Sequence, residues 1–334
     1  MVRCRPRMRF LYVMDPMDRI VPDKDTTYAF LRAAEARGHQ SFHAVPEAVF
    51  AKAGTIGVHA RQVSGFGAFP QVTTGWSTGE TTVLDVASFD AVFIRKDPPF
   101  DAAYLYLSHL LDRVVDQTLV VNRPRGLRDA NEKLYTLNFA QFMPTTLVAS
   151  SPTQILAFVE EVGGEAVLKP LDGAGGTGVF MLRTADKNAR GLIDMLTGEG
   201  RRLAMVQQFL PAVTAGDKRV LLMGGKVLGG INRISRSDDF RSNIHVGGRV
   251  EPVEVTPEER HLVETIAPKL AEDGLFFVGL DLIGGKLTEV NVTSPTGIQE
   301  LSAHLSRDVA EDVVEWVEAH AGAARSASRL DARS

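Results

Sequence analysis

A lone cysteine, Cys4, means that no disulfide can close within this chain of 334 residues, which fits a reducing compartment. Nor does any apolar run approach the length needed to span a bilayer, so the sequence reads as cytoplasmic. An excess of basic charge is missing as well. Lys and Arg number 37 against 41 Asp and Glu, a net charge of -4, which excludes a generally basic nucleic-acid binder. Anionic ligands must then be gathered by local clusters of Lys and Arg. His245 stands among glycines with no second His or Cys at ligand spacing, which argues against zinc. What the chain does have is 44% hydrophobic residues, ordinary for a folded protein, and enough length for two or three subdomains.

The N-terminal part alternates strand and helix signals. Arg9–Met14 (RFLYVM) is an apolar run closed by Asp15-Pro16 and predicts a buried strand. Asp25 or Thr26 can cap a helix over 28–37 that stops at Gly38. Residues 51–82, rich in Gly, Thr and Ser, predict only irregular structure or an insertion. Further strands follow at 89–95 and 119–122, and 124–127 reads as a linker. The fold class is α/β, and ligands on open parallel sheets collect at strand C-terminal ends, where Asp15 and Arg95–Asp97 fall.

In the second half, 131–139 predicts a helix carrying Lys133. Strands at 166–169 and 179–183 flank a glycine loop, and 205–209 is another strand. Hairpins are predicted at 219–233 and 276–292, with a helix over 257–273 between them, capped by Thr256 and ended by Gly274. A C-terminal helix gives way to an Ala/Ser/Arg-rich frayed tail at 323–334.

Three pieces of this half carry chemistry. The loop Asp172–Gly178 places Gly173, Gly175, Gly176 and Gly178 where backbone N–H groups can approach phosphate oxygens. It is neither a Walker A loop nor a dinucleotide fingerprint, because a strand follows rather than a helix. By itself it fits a plain hairpin loop as well as a phosphate cradle. Lys169, directly before it, and Lys133 supply point charges. Asp281, Glu289 and Asn291 offer hard oxygens suited to magnesium, and Glu289 and Asn291 share one strand face. A three-residue loop, Gly284–Lys286, would bring Asp281 opposite Glu289, whereas a two-residue turn would send it to the other face. The odd-length loop is therefore expected. Arg233 closes an apolar strand and needs an acidic partner if it points inward.

The stretches VMDP (13–16), RKDPPFD (95–101), LRDANEKL (127–134), LKPLDGAGG (168–176), GDKRVL (216–221), FVGLDLIG (277–284) and LTEVNVTSPT (287–296) resemble the ATP-grasp ligases, and within them the bacterial glutathione synthetases. The resemblance covers residues 10 to about 321. It implies an ATP-grasp domain (126–322, lid about 140–206, C-terminal part about 207–322) preceded by an open, mainly parallel α/β substrate domain (8–125). It implies ATP-phosphate contacts for Lys133, Lys169 and the glycine lid. Gln207, Gln208, Phe209 and Leu210 would form an adenine hinge, with Asp217 near the ribose. Arg219 and Arg233 would stabilise charge on the reacting groups. Asp281, Glu289 and Asn291 would hold Mg2+, or Mn2+ in its place. Arg241, Asn243, Ser294, Thr296 and Gly297 would close on the peptide.

The implied substrates are γ-glutamylcysteine, glycine and ATP, and the implied assembly is a homo-oligomer, dimer or tetramer. Two departures stand out: Gln207-Gln208-Phe209 where Gln-Asn-Tyr is expected, and a loop after Arg233 with fewer glycines than usual. The rival readings are another ATP-grasp carboxylate–amine ligase, such as a glutamate-tailing or D-Ala–D-Ala-type enzyme, and a non-catalytic ATP-binding regulator.

Overall fold

The computed structural model describes residues 7–173, 175–234 and 249–331, with side chains through 322. Among these residues three sheets follow one another. The first is built on β1 (Arg9–Met14), whose uninterrupted apolar run is buried as a central strand must be. The helix α1 (Thr26–Ala36) begins where Asp25 accepts the Tyr28 N–H at 2.7 Å, and the chain leaves it through Gly38 at φ +84°.

Then come β2 (Gln40–Ala44), β3 (Val49–Lys52), β4 (Thr55–Ser64), β5 (Ser77–Asp85), β6 (Ala91–Arg95), α2 (Ala102–Leu111), β7 (Leu119–Val121) and α3 (Pro124–Asp129). The strand order is β3-β4-β2-β1-β6-β7, with β5 on β4. β2, β1, β6 and β7 are mutually parallel, whereas β3, β4 and β5 pair antiparallel.

Two expectations are corrected here. Residues 51–82 are largely sheet; β5 is exposed along nearly its whole length, so it carries no apolar alternation to betray it. The supposed linker at 124–127 is the start of α3, with Pro124 at its first turn and Gly126 seated so closely on Asp273 that a side chain would collide with that carbonyl. Ser77 falls within Gly75–Gly79, which has the G-x-S-x-G spacing of a nucleophile elbow. It opens an exposed edge strand rather than a strand-to-helix turn.

The second sheet comprises β8 (Thr146–Ala149), β9 (Glu165–Pro170), β10 (Phe180–Arg183) and β11 (Ala204–Gln208), in the order β10-β9-β11-β8 and all antiparallel. The helices α4 (Pro152–Glu161) and α5 (Ala189–Thr197) close a core of its own, with Ile155, Phe158, Leu168, Ile193 and Val206 at its centre. Lys133 is not inside a helix, as expected, but directly precedes a 3-10 segment, Leu134–Phe142. Asn131 explains this: its side-chain oxygen takes the N–H groups of Lys133 and Leu134 in a turn that competes with helix.

The third sheet has the order β14-β13-β12-β15-β16, from β12 (Asp217–Met223), β13 (Lys226–Ile234), β14 (Arg249–Val253), β15 (Phe277–Ile283) and β16 (Lys286–Asn291). α6 (Pro257–Glu272) starts in a full capping box of Thr256 and Glu259. α7 (Ile298–Leu305) and α8 (Ala310–Asp331) end the chain; α8 runs into the stretch expected to fray.

Unlike the second sheet, the third shares its apolar core with the first, as in the edge-to-face contact of Phe30 with Phe277 at 5.1 Å. The buried Asn122 adds a polar bolt between them. Its amide binds the N–H groups of Phe276 and Phe277 and the carbonyls of Phe277 and Val292 at 2.7–2.8 Å. Among the described residues no helix is long and apolar enough to cross a membrane.

Candidate active site

A cleft lies between the second and third sheets. Val167 and Lys169 of β9, Gln207 and Gln208 of β11, Asp217, Arg233, Asp281 and Glu289 line it, along with Gly176 from the glycine loop. Its lining also includes the apolar Pro144, Phe209, Leu210, Val213 and Ile283. The sequence had pointed to the polar set and to the hinge. It gave no reason to choose Pro144, Val213 or Ile283, since isolated apolar residues carry no sign of which cavity they wall.

Asp281 does pair with Glu289 across β15 and β16, but not by the expected device. The turn has two residues, Gly284 and Gly285, at φ +55° and +76°, with Ile283 opposite Lys286. The register is then shifted by a bulge at Thr288, whose hydroxyl donates to the Asp281 carbonyl at 3.0 Å. A bulge replaces the odd loop and brings the same residues together.

The acidic groups differ in state. Asp281 is buried and takes a two-pronged bond from Arg219 (Nε–Oδ1 and Nη2–Oδ2, both 2.8 Å) and a third from Arg233 at 2.9 Å. Burial alone would raise its pKa, but the two guanidinium groups outweigh that and hold it well below the carboxylate range. Asp217 shares Arg233, accepting from Nη2 at 2.6 Å. Burial pushes its carboxyl up to about 6 against the pull of Arg233, with the Asp281 charge adding to the rise. For Arg233 itself, burial favours the neutral form, but Asp217 and Asp281 together raise its pKa. Expected near a ribose, Asp217 lines the cleft while bound to an arginine. Glu289 is less committed: Lys133 Nζ stands 3.7 Å away. Asn291 donates its amide to the Gly279 carbonyl at 3.2 Å.

Lys169 lines the cleft, and Lys133 stands beside Glu289. Lys133, almost fully buried, donates to the Gly173 carbonyl at 2.6 Å, tying itself to the glycine loop. Lys169 donates to Gln207 Oε1 at 2.8 Å, and Gln207 in turn donates to Thr146 Oγ1 at 3.1 Å. The Gln207 side chain is thus engaged by Lys169 and Thr146. Burial lowers the Lys169 pKa, against the attraction of Glu289. At the end of β11, the N–H groups of Gln208 and Phe209 go to the carbonyls of Thr145 and Glu165. The loop glycines Gly175, Gly176 and Gly178 have φ of +65° to +78°, a turn that other residues adopt only with strain.

The segment after β16 meets the first sheet. Arg219 Nη1 lies 3.3 Å from Thr296 Oγ1, and Arg95 donates to the Pro295 carbonyl at 3.0 Å. Gly297, at φ +116°, starts α7, and Ser294 is half-exposed beside it. Arg95 was visible in RKDPPFD without an individual role; the structure brings it to this loop. Ala174, Arg241, Asn243 and His245, with the rest of 235–248, lie outside the described residues.

The donor set suits a hard cation. Glu289 lines the cleft with Asp281, which is kept ionised, and Asn291 lies two residues further along the same strand. Among the described residues no three His, Cys, Asp or Glu side chains form a cage of their own, so phosphate oxygens would have to complete the shell.

Two antiparallel sheets gripping a lysine-lined cleft under a glycine loop define an ATP-grasp protein. Solved structures agree on the fold. D-cycloserine synthetase DcsG superposes with a TM-score of 0.65 over 93% of this chain and 99% of that one, at 15% identity. The ATP-grasp ligase PsnB, complexed with precursor peptide PsnA2 and AMPPNP, gives 0.60 over 94% and 98%, at 17% identity.

Sequence narrows the class. A family model for the prokaryotic glutathione synthetase N-terminal domain matches residues 8–128, and one for the ATP-grasp domain of the same family matches 132–306. The glutathione synthetase of Synechococcus elongatus is 41% identical over 326 residues, covering 93% of this chain and 98% of that protein. That of Rhodopseudomonas palustris is 40% identical over 306 residues, covering 92% and 96%. This chain belongs to the prokaryotic glutathione synthetase family, whose members are ATP-dependent ligases.

Proposed function

We propose that the protein joins γ-glutamylcysteine to glycine at the expense of ATP, releasing ADP and phosphate. The observation that supports this most is the convergence of Lys133, Lys169, Arg219 and Arg233 with Asp281 and Glu289 around one cleft.

A carboxylate does not accept an amine at neutral pH, because its charge repels the nucleophile and oxide is no leaving group. Transfer of the γ-phosphoryl group to the cysteinyl carboxylate gives an acyl phosphate, which the glycine amine then attacks with loss of phosphate. The protein's part is positioning and charge neutralisation around an in-line transfer. In this reading the apolar lining of the cleft takes the base, Asp217 lies near the ribose, and Lys133 and Lys169 bind the phosphates, released from Gly173 and Gln207. The N–H groups of Gly173, Gly175, Gly176 and Gly178 cover those phosphates and keep water from the acyl phosphate.

Arg219 reaches from Asp281 toward Thr296 and steadies the carboxylate being phosphorylated, with Arg233 behind it. Arg241, Asn243, Ser294, Thr296 and Gly297 would enclose the peptide. Magnesium, with manganese as its substitute, would be held by Glu289 and Asn291 with Asp281 and supplies charge neutralisation to the phosphates. Partners are small molecules only. Family resemblance supports a homo-oligomer, dimer or tetramer, in the cytoplasm.

ADP release measured with γ-glutamylcysteine plus glycine, beside a panel of other acids and amines, tests the reading. Release that requires both substrates and yields the tripeptide is the expected result. Release with a different acid alone would assign another ATP-grasp ligase, and nucleotide binding with no release under any pair would assign a regulator.

A further inference from the structure

Between the glycine loop and the metal strand lies a residue that the proposed reaction does not use. Glu132 follows Asn131 and precedes Lys133, and each of the three is tied to a different functional segment. Asn131 donates its amide to the Leu171 carbonyl at 2.9 Å, at the root of the glycine loop. Lys133 bonds Gly173 within that loop and faces Glu289.

Glu132 turns the other way. Its main-chain carbonyl accepts the Val290 N–H at 2.9 Å. Its Oε1 accepts three donors: the N–H of Val292 at 2.9 Å, the N–H of Thr293 at 3.1 Å and the Thr293 hydroxyl at 2.8 Å.

Among the described residues β16 is an edge strand, so its outward N–H groups lack a neighbouring strand there. Val290 and Val292 alternate with Glu289 and Asn291, and their N–H groups are what Glu132 satisfies. Thr293, the third attachment, opens the segment that continues to Ser294–Gly297. We infer that Glu132 is a positioning residue: it stands in for the missing strand and pins β16 to the lysine segment, so that the phosphate charges and the oxygen ligands are assembled at one fixed spacing. This rests on the ATP-site reading above. A charged acceptor with three convergent donors suits the task, because such bonds are short and directional. Glutamine keeps the acceptor oxygen at the same reach, whereas alanine leaves Val292 and Thr293 without it and keeps only the main-chain bond to Val290.

The test is binding rather than turnover alone. A non-hydrolysable ATP analogue with magnesium is titrated calorimetrically into wild type, Glu132→Ala and Glu132→Gln, and thermal midpoints and KM for ATP are measured beside it. Loss of a group that orients ligands costs about 10- to 100-fold in affinity or activity, and that loss is expected for Glu132→Ala. Glu132→Gln should recover to within about threefold, its oxygen still in place. Should the alanine variant not fold, Glu132→Asp keeps the charge but draws it one methylene short of Thr293, and the same loss is expected.

Wild-type affinity in the alanine or aspartate variant overturns the pin. So does an equal loss in the alanine and glutamine variants, which would make charge, not reach, the cause. Absence of analogue binding by wild type itself would overturn the ATP-site reading and the pin together.

Discussion

Replacing Arg233 by methionine is the sharpest perturbation the site offers. Its side chain is 2% exposed and bonds Asp217 at 2.6 Å and Asp281 at 2.9 Å. Methionine fills similar space but removes the guanidinium that the Asp217 and Asp281 carboxyl groups share, while Asp281 keeps its bonds to Arg219. Removing one partner of a buried pair costs about 3–5 kcal/mol. At roughly 2–4 °C per kcal/mol for a domain of 150–250 residues, the thermal midpoint should fall by about 6–20 °C.

The pH dependence gives the effect a signature. The Asp217 carboxyl is already raised to about 6 in the folded protein, above the unfolded value of about 3.9. A group whose pKa rises on folding contributes stability that is fully present below the unfolded pKa. That contribution is lost as pH climbs through the folded pKa. Without Arg233 the Asp217 charge has lost its nearest counter-ion, so the deficit should be largest at pH 8 and shrink toward pH 5. Differential scanning fluorimetry of the variant across that range reads it directly. Arg233→Lys, which keeps a charge but not the fork, should fall between. A midpoint within about 2 °C of wild type at every pH, or a deficit that grows on acidification, would refute the reasoning.

Other outcomes follow from the same geometry. Lys169→Met should lower ADP release by about 10²–10³-fold, the scale for removing one charge-stabilising donor. Its thermal midpoint should hold, because burial already opposes the ammonium; a matching collapse of stability would assign Lys169 to the scaffold. Asn122→Ala strands four backbone groups at the junction of two sheets and should cost about 3 kcal/mol or more, read as a lowered denaturation midpoint. Burial lowers the His43 pKa, the bond to the Asp15 carbonyl opposing and Arg61 adding to the fall. The unfolded chain thus binds the proton better, and stability should decline as pH falls below about 6.5. His43→Gln should flatten that acid limb in a pH series of melts, and an unchanged limb would contradict it.

Strands whose two faces meet protein were legible, because β1 and β6 are near-continuous apolar runs and β11 and β15 are apolar but for Gln207, Gln208 and Asp281. β5 was not, since an exposed edge has no core to write a pattern into its sequence. The pairing of Asp281 with Glu289 could be reasoned from chemistry, while the bulge at Thr288 could not. A turn and a bulge are alternative ways to absorb one residue, and the sequence does not choose between them. The lysines, the hinge and the glycine loop announced themselves by type and order. Their present partners did not: the carbonyl that holds Lys133 comes from a loop 40 positions away, and the amide that holds Lys169 from another strand. Glu132 stood in plain view inside LRDANEKL. Only the edge position of β16 gives its charge a purpose.

The claim on which all else rests is that Lys133, Lys169, Glu289 and Asn291 surround one triphosphate. A crystal structure with a non-hydrolysable ATP analogue, magnesium and γ-glutamylcysteine tests it most directly. The expected map has the base against Val167 and Leu210, phosphates between the two lysines, and a cation on Glu289 and Asn291. Analogue density outside this cleft, with those lysines still bound to Gly173 and Gln207, would contradict it.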